Sequence, residues 1–277
     1  IKFKNLLIIF FLFSILVYSR DQMSISEYRP FPDKLDYLNF QPSMLSWSLS
    51  DGFIILDNSK RELIELNSLG EILFSTGLGR DTFRYGDLIW IGSMPDGVNV
   101  VDRLENKISV LDFNLNPVQT IDLNLKIFPD KVISDSWGRL FMYSKTYNNI
   151  YLFENGELND QPYINLFKEF DLIPCIKDMA INKNGEFGIL DCDGRLIIFT
   201  QNGSRQMIYP SYIEKAKFIV SLRSDWFLFN EQGLGFSINE KKNSSIPKSS
   251  IPVIDIVSRN LSMAILSKDH ILIMDVR

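Results

Sequence analysis

From residue 43 onward, the chain repeats one pattern of hydrophobic and polar positions. A short apolar strand leads through a polar or Gly turn into an alternating apolar strand that ends in Asp, Ser or Asn. A polar loop, a third apolar strand, a second turn and a weaker fourth strand follow. Short runs rich in Ile, Leu, Val, Phe and Tyr and bounded by Gly or Asn are typical of β-strands. Copies cover residues 43–77, 88–124, 130–166, 176–210, 216–240 and 253–276.

The residue that closes the second strand marks the same point in every copy. Its short polar side chain suits hydrogen bonding to backbone N–H groups of the following turn. The six markers are Asp57, Asp102, Ser144, Asp191, Asn230 and Ser267. Their spacings of 45, 42, 47, 39 and 37 residues suit four-stranded propeller blades and not shorter or helical solenoid repeats. We therefore predict an all-β, six-bladed β-propeller of four-stranded antiparallel blades over residues 43–277.

The sixth copy supplies only three strands. Because an open blade exposes a strand edge and an apolar face, we expect the N-terminal segment 20–42 to close the ring with an outer strand. Leu35–Gln41 is the preferred candidate, and the stretch around Ile25–Phe31 is the alternative. The longer segment 161–174 is expected to hold one helical turn.

The first residues have the pattern of an export signal. Lys2 and Lys4 precede the apolar run Leu6–Val17, and an imperfect small-residue cleavage site ends at Ser19. The run is shorter than the roughly 20 residues of a membrane-spanning helix, so we interpret residues 1–19 as a signal peptide. The mature chain is then exported, to a periplasm or the extracellular space, without a membrane span. An uncleaved N-terminal anchor is the alternative.

Composition narrows the function classes. A hydrophobic content of 45% is enough for a large core, and a net charge of −5 argues against nucleic-acid binding, which needs a basic face. A single histidine, His270, excludes a histidine-rich metal centre or acid–base cluster. A Ser-His-Asp triad lacks its usual G-x-S-x-G context. The sequence therefore predicts no catalytic residues, metal ligands or cofactor.

Two copies resemble NHL repeats, in which an Asp-Gly turn and a strand-closing Asp precede an Asn-x-Arg/Lys-Ile type strand. Asp51-Gly52 with Asp57 and Arg61 fits this pattern, as does Asp96-Gly97 with Asp102 and the run Asn106-Lys107-Ile108. The Gly-rich stretch 75–85 is similar to the connector of that family, although Gly86-Asp87 stands where a Pro is usual. The resemblance implies the propeller architecture and leaves the activity open, because propellers host many functions.

The two cysteines fall on the first hairpin of the fourth copy. If its loop is 182–185, Cys175 and Cys192 are cross-strand neighbours, close enough for a disulfide. A two-residue loop at Asn184-Gly185 moves this pairing by two positions. A disulfide and a pair of buried free thiols therefore remain the alternatives.

Propeller topology places the second-to-third-strand loops and the links between blades on one face. That face is expected to collect a candidate binding surface of Arg80, Asp81, Arg84, Tyr85, Arg103, Lys145, Tyr147, Asp193 and His270. Mixed Arg and Tyr side chains are common at recognition surfaces. This favours a non-catalytic binding or scaffold protein that recognises a protein, peptide or glycan; solvated loop residues are the plainer interpretation.

A metal-dependent propeller enzyme, of lyase or lactone hydrolase type, is the alternative function. It requires several carboxylates converging in the central channel. The inner strands offer Asp130, Asp135, Asp178 and Asp255, but the sequence shows no common register that brings them together.

Overall fold

The computed structural model describes residues 23–37, 39–76 and 85–276. The signal-peptide prediction for residues 1–19 lies outside the described residues, as do Arg80, Asp81 and Arg84. Strand β1 (Met23–Pro30) and helix α1 (Asp33–Tyr37) precede the repeats. The remaining strands form antiparallel sheets, each of which is one blade of a six-bladed propeller.

The first three blades follow in chain order. Blade 1 contains β2 (Pro42–Trp47), β3 (Phe53–Asp57), β4 (Glu62–Leu66) and β5 (Ile72–Ser75). Blade 2 contains β6 (Leu88–Met94), β7 (Gly97–Asp102), β8 (Lys107–Leu111) and β9 (Pro117–Asp122). Blade 3 contains β10 (Lys131–Ser134), β11 (Leu140–Ser144), β12 (Asn149–Glu154) and an outer strand split into β13 (Glu157–Leu158) and β14 (Ile164–Asn165).

The last three blades repeat the arrangement. Blade 4 contains β15 (Ile176–Ile181), β16 (Phe187–Asp191), β17 (Leu196–Phe199) and β18 (Arg205–Tyr209). Blade 5 contains β19 (Phe218–Leu222), β20 (Asp225–Phe229), β21 (Leu234–Ser237) and β22 (Lys242–Ser245). Blade 6 contains β23 (Asp255–Arg259), β24 (Ser262–Leu266) and β25 (His270–Val276).

Short helices occupy two of the links between blades. Helix α2 (Leu166–Glu169) confirms the helical turn expected in segment 161–174, and the Asn165 side chain caps it by accepting from the N–H groups of Phe167 and Lys168. A 3-10 turn, Lys248–Ser250, lies between blades 5 and 6. In the described part of the chain, no helix is long and apolar enough to cross a membrane.

The N-terminal strand completes blade 6. Strand β1 pairs antiparallel with β25, from Met23 opposite Val276 to Pro30 opposite His270. The predicted closure is therefore confirmed, but the preferred strand was wrong. Residues 33–37 form α1 because this segment has to cross from the outer edge of blade 6 to the inner strand of blade 1, which a strand in the sheet would not do.

The core lies between the blades. The inner strands β2, β6, β10, β15, β19 and β23 contact one another in a closed cycle around the axis. Buried apolar side chains form a separate cluster in each of the six spaces between adjacent blades. Burial of this kind is the main stabilising contribution to folding, and here each blade depends on both neighbours.

The two faces of the ring carry different loops. We call the side with the first-to-second-strand turns the turn face. The opposite side, with the second-to-third-strand loops and the links between blades, is the connector face. The Asp-Gly turns of blades 1 and 2 need glycine, since a Cβ on Gly52 or Gly97 would overlap the carbonyl oxygen of Leu66 or Leu111.

Candidate functional site

The six marker residues hold the loops of the connector face in place. All are buried. Asp102 shows their role most fully, because its carboxylate accepts from Gly86 N and Asp87 N in the preceding link and from Glu105 N in its own loop. Ser144 instead donates to the carbonyl oxygen of Ile127. These bonds tie a loop of one blade to the link that enters it, and so position the backbone of both.

An open pocket of about 320 Å³ lies on the connector face between blades 2 and 3. Arg103 and Leu104 come from the loop after β7, whereas Lys145 and Thr146 come from the loop after β11. Phe128 and Asp130 belong to the link between the two blades. The pocket thus brings together two residues of the predicted binding surface, Arg103 and Lys145.

Two carboxylates hold the guanidinium of Arg103 in this pocket. Arg103 Nη2 lies 2.5 Å from Asp87 Oδ2, and Nη1 lies 3.3 Å from Asp130 Oδ1. The second oxygen of Asp130 accepts from the backbone N–H of Lys145 at 2.7 Å. Asp130 therefore links both loops that form the walls, and its oxygens are already engaged.

Phe128 forms an aromatic wall at the pocket entrance. Its backbone has a φ of +44°, a conformation that bulky residues rarely adopt. Its N–H donates to Asn106 Oδ1 at 2.9 Å, and the Asn106 amide donates to the carbonyls of Leu123 and Leu125. The Phe128 side chain is 39% exposed. The fold thus holds an apolar ring at the surface of the pocket, where a partner can contact it.

Lys145 differs from Arg103 in having a free charge. Among the described residues, no carboxylate pairs with its ammonium group. Leu104 and Tyr147, exposed by 63% and 46%, lie in the same two loops. The site therefore combines an unpaired cation, an anchored guanidinium and exposed apolar side chains.

Two other residues of the predicted surface do not belong to it. Tyr85 is 2% exposed and His270 is 1% exposed. Tyr85 packs into the core between blades 1 and 2. His270 is the first residue of β25 rather than a loop residue, and Tyr28 of β1 covers its ring at a centroid distance of 4.5 Å.

The contacts of His270 have the order of a Ser-His-Asp triad. Its Nε2 lies 2.7 Å from Ser250 Oγ, and its Nδ1 lies 2.7 Å from Asp269 Oδ1. However, Ser250 is 0% exposed, so a substrate has no access to its hydroxyl. The arrangement instead joins the link 246–254 to blade 6 beneath the ring-closing strand.

Cys175 and Cys192 form a disulfide in the structure, with Cα atoms 5.4 Å apart. The bond joins the link that enters blade 4 to the loop after β16. The hairpin register differs by one from the expected one over most of its length, as in Ile181 opposite Phe187. A register shift between Ile176 and Asp178 restores the expected pairing next to the cysteines. As a result, Cys192 N donates to Cys175 O at 2.8 Å.

The channel contains a register that the sequence did not reveal. Lys131, Asp178 and Asp255 each pair with the residue just before a marker: Tyr143, Leu190 and Leu266. The two aspartates therefore share one layer of the inner strands, contrary to the expectation that no register unites them. Asp178 accepts from Ile219 N at 2.9 Å, and Asp255 accepts from Leu45 N at 2.8 Å. Each carboxylate thus accepts a hydrogen bond from a backbone N–H on the inner strand of the next blade.

Burial changes the acidity of both channel carboxyls. Desolvation raises the pKa of Asp178 to about 6, against the opposing effects of Lys131 and its hydrogen bonds, and the Asp255 charge adds to the rise. Desolvation likewise raises the pKa of Asp255 to about 6. The layer can therefore exchange protons near neutral pH.

The other two carboxylates considered for the channel lie elsewhere. Asp130 belongs to the connector-face pocket, and Asp135 pairs with Arg139 at 2.7 Å on the turn face. Within the described ranges, no three His, Cys, Asp or Glu side chains come together as metal ligands.

Comparisons with known proteins bear on the fold. Neither a family model nor a curated protein sequence matches the chain. Among solved structures, virginiamycin B lyase from Staphylococcus aureus superposes with a TM-score of 0.60 at 10% identity, over 92% of this chain and all (100%) of the lyase chain. YCF48 bound to D1 peptide gives 0.58 at 12% identity, covering 86% of this chain and 79% of that chain.

BamB from Moraxella catarrhalis gives a TM-score of 0.54 at 10% identity, over 84% of each chain. These likenesses establish the six-bladed propeller fold. At such identities they carry no function across, and the NHL-repeat resemblance stays a prediction. A catalytically inactive variant of the lyase, with His replaced by Ala, was solved with quinupristin. In the present chain the single histidine is buried under β1.

Proposed function

We propose that the chain is an exported, non-catalytic binding propeller of NHL-repeat type, which recognises a protein or peptide at the pocket between blades 2 and 3. The observation that carries this proposal is the connector-face pocket that holds Phe128 exposed beside the free ammonium of Lys145. Anchored aromatic and cationic side chains next to one another are characteristic of recognition sites.

Two kinds of neighbouring structure are compatible with this proposal. YCF48 was solved with a bound D1 peptide, and BBS1N was solved in complex with ARL6DN. They support peptide or protein ligands as the partner class, with a glycan as the remaining alternative. Residues 1–19 provide the export signal in this proposal.

The pocket chemistry favours a partner with an acidic group next to an apolar one. A carboxylate at Lys145 would gain a charge-assisted hydrogen bond, while an adjacent apolar side chain would cover Phe128 and Leu104. Arg103 would add directional donors from a guanidinium already held in place by Asp87 and Asp130.

The test is affinity capture from the native envelope fraction with the intact protein and matched variants. Lys145→Glu and Phe128→Ser should each lose the captured partner. Lys183→Glu is the control, since Lys183 is an exposed lysine on a turn of the opposite face. Equal capture by all these proteins would contradict the proposal.

The metal-dependent enzyme remains testable beside it. It would use the channel layer with Asp178 and Asp255, but both carboxylates already hold backbone amides of neighbouring blades. Turnover, or a thermal shift with Ca²⁺, Mg²⁺ or Zn²⁺ that Asp178→Asn abolishes, would replace the binding proposal with the enzymatic one.

A further inference from the structure

The turn face carries exposed apolar side chains on the turns nearest the axis. Leu49 in blade 1, Trp137 in blade 3 and Leu261 in blade 6 are exposed by 58%, 72% and 45%. The equivalent turns of blades 2, 4 and 5 present the polar or charged side chains Asp96, Lys183 and Ser224 instead. The apolar tips thus lie on three of the six turns, and those of blades 6 and 1 are neighbours.

These turns are held rigidly by side-chain contacts. Arg259 in blade 6 donates to Ser48 O at 3.2 Å and to Asp51 Oδ1 at 2.7 Å, both in the turn of blade 1. Its guanidinium also lies 4.3 Å from the centre of the Trp47 ring. The tips that carry Leu49 and Leu261 therefore keep a fixed relative position.

In blade 3, Asp135 holds the turn that carries the exposed Trp137. Its Oδ1 accepts from the backbone N–H of Trp137 at 2.9 Å and from the backbone N–H of Arg139 at 3.0 Å. The Arg139 guanidinium lies 4.9 Å from the Trp137 ring. An exposed tryptophan beside an arginine suits the boundary between water and lipid, where amphipathic rings are enriched.

The chain also enters the fold on this face. Met23, the first described residue, pairs with Val276. Val276 N donates to Leu261 O at 3.0 Å, and its carbonyl accepts from Arg223 in the corresponding turn of blade 5. The described part of the chain thus begins beside the turns of blades 5 and 6.

The sequence before Met23 contains the apolar run Leu6–Val17. The five residues between them reach at most about 18 Å when extended. A run of about 12 apolar residues is too short to span a bilayer but suits insertion at its surface. Because Met23 lies on the turn face, insertion of this run at a bilayer surface would bring the turn face, and not the connector face, toward the lipid.

We infer that the turn face of this propeller rests on a lipid bilayer, with Leu49, Trp137 and Leu261 in contact with the membrane surface. The connector-face pocket then points away from the membrane into the aqueous phase. This inference takes the N-terminal run as the uncleaved anchor, which is the alternative to the signal peptide of the proposed function, and it leaves the connector-face pocket unchanged.

The test uses the full chain, including residues 1–22, bound to vesicles of phosphatidylethanolamine and phosphatidylglycerol. Single cysteines carrying an environment-sensitive fluorophore replace Leu49 or Trp137 on the turn face, and Tyr37 or Leu172 on the connector face. All four side chains are well exposed, and the two native cysteines are bonded to each other.

Quenchers attached to the lipid should reduce the fluorescence of labels at positions 49 and 137 severalfold more than that of labels at 37 and 172. Equal quenching, or stronger quenching at 37 and 172, would overturn the inference. A turn face that binds protein instead of lipid would leave labels 49 and 137 unquenched in these protein-free vesicles, which also overturns it.

A second measurement avoids labels. The variant Leu49→Ser/Trp137→Ser/Leu261→Ser should bind vesicles about tenfold less tightly than the control Tyr37→Ser/Leu172→Ser, because only the first set removes apolar contact with lipid. Equal vesicle binding of the two variants in sedimentation assays would contradict the inference. Unchanged thermal unfolding checks that both variants are folded.

Discussion

The connector face is open between blades 2 and 3 but closed between blades 5 and 6, although the same kinds of loop meet at both places. In each, a link between blades lies against the loop that follows a buried serine marker, Ser144 or Ser267. Between blades 5 and 6, His270 and Ser250 fill the space and bond to each other. Between blades 2 and 3, Lys145 and Phe128 are exposed and leave a pocket. The repeat thus determines that a site lies between a link and the loop after a marker residue. A few side chains determine whether that site is open or filled.

The closed site depends first on the strand that covers it. A chain beginning at residue 32 lacks β1, which exposes the edge of β25 and the ring of His270. We expect a loss of several kcal/mol in the free energy of unfolding, or no cooperative transition. Thermal unfolding against a chain beginning at residue 20 measures it; equal midpoints would contradict the closure by β1.

At the boundary between blades 3 and 4, a disulfide bond stabilises the fold covalently. Replacing Cys175 and Cys192 by Ala removes a bond that closes a loop with a sequence separation of 17. We expect a loss of about 3 kcal/mol in the free energy of unfolding. Denaturant titration of the oxidised wild type and the variant gives the value, and a reduced wild type should resemble the variant.

Substitution within the closed site should have a smaller but clear effect. His270→Ala leaves a cavity and removes the partner of the buried Ser250 hydroxyl, so we expect a loss of about 2 kcal/mol. Adding Ser250→Ala to His270→Ala should cost less than the sum of the single changes, because the unpaired hydroxyl is gone. Strict additivity would show that the two residues are not coupled.

The channel layer should make stability depend on pH. The pKa values of Asp178 and Asp255 are raised to about 6 in the folded state, above the ordinary value near 3.9. The folded state therefore binds more protons between these values, and this contribution to stability is lost as the pH rises from about 4 to above 6. We expect about 1 kcal/mol per group after allowing for partial solvent access. Denaturant titration from pH 4 to pH 7.5 should show the loss, and Asp178→Asn with Asp255→Asn should flatten the profile.

Substitutions in the open site should affect partner binding and leave stability almost unchanged, in contrast to substitutions in the closed site. Lys145→Ala should change the free energy of unfolding by less than about 0.5 kcal/mol, because it removes no buried contact. Capture of the partner should nevertheless fall. A large loss of stability would mean that Lys145 is structural, and the contrast between the two sites would fail.

The repeat and its markers were predictable from the sequence because a short polar residue must close each second strand and cap the next loop. The closing strand was harder, since the preferred Leu35–Gln41 and the actual Met23–Pro30 are both short stretches with apolar positions. Only the path from the outer edge of blade 6 to the inner strand of blade 1 distinguishes them. The pocket was found in part, through Arg103 and Lys145. Phe128, held by Asn106 from another loop, was missed because its exposure depends on backbone contacts.

The channel layer and the burial of His270 were also difficult to predict from the sequence alone. Register in a hairpin depends on irregularities such as the one between Ile176 and Asp178, and one residue of shift changes which side chains share a layer. His270 looked like a loop residue because Asp269 precedes it. Its burial follows from Tyr28, which is far away in sequence and reaches it only when the ring closes.

The pairing of β1 with β25 also governs the order of events during synthesis. β1 precedes blades 1 to 5 in the sequence, so it has to wait unpaired until β25 has been made. Until then blade 6 has no outer strand, and the cluster between blades 6 and 1 cannot form completely. While the residues between β1 and β25 are being synthesised, the chain exposes an unpaired, aggregation-prone strand, so its folding yield should rise when a chaperone shields β1.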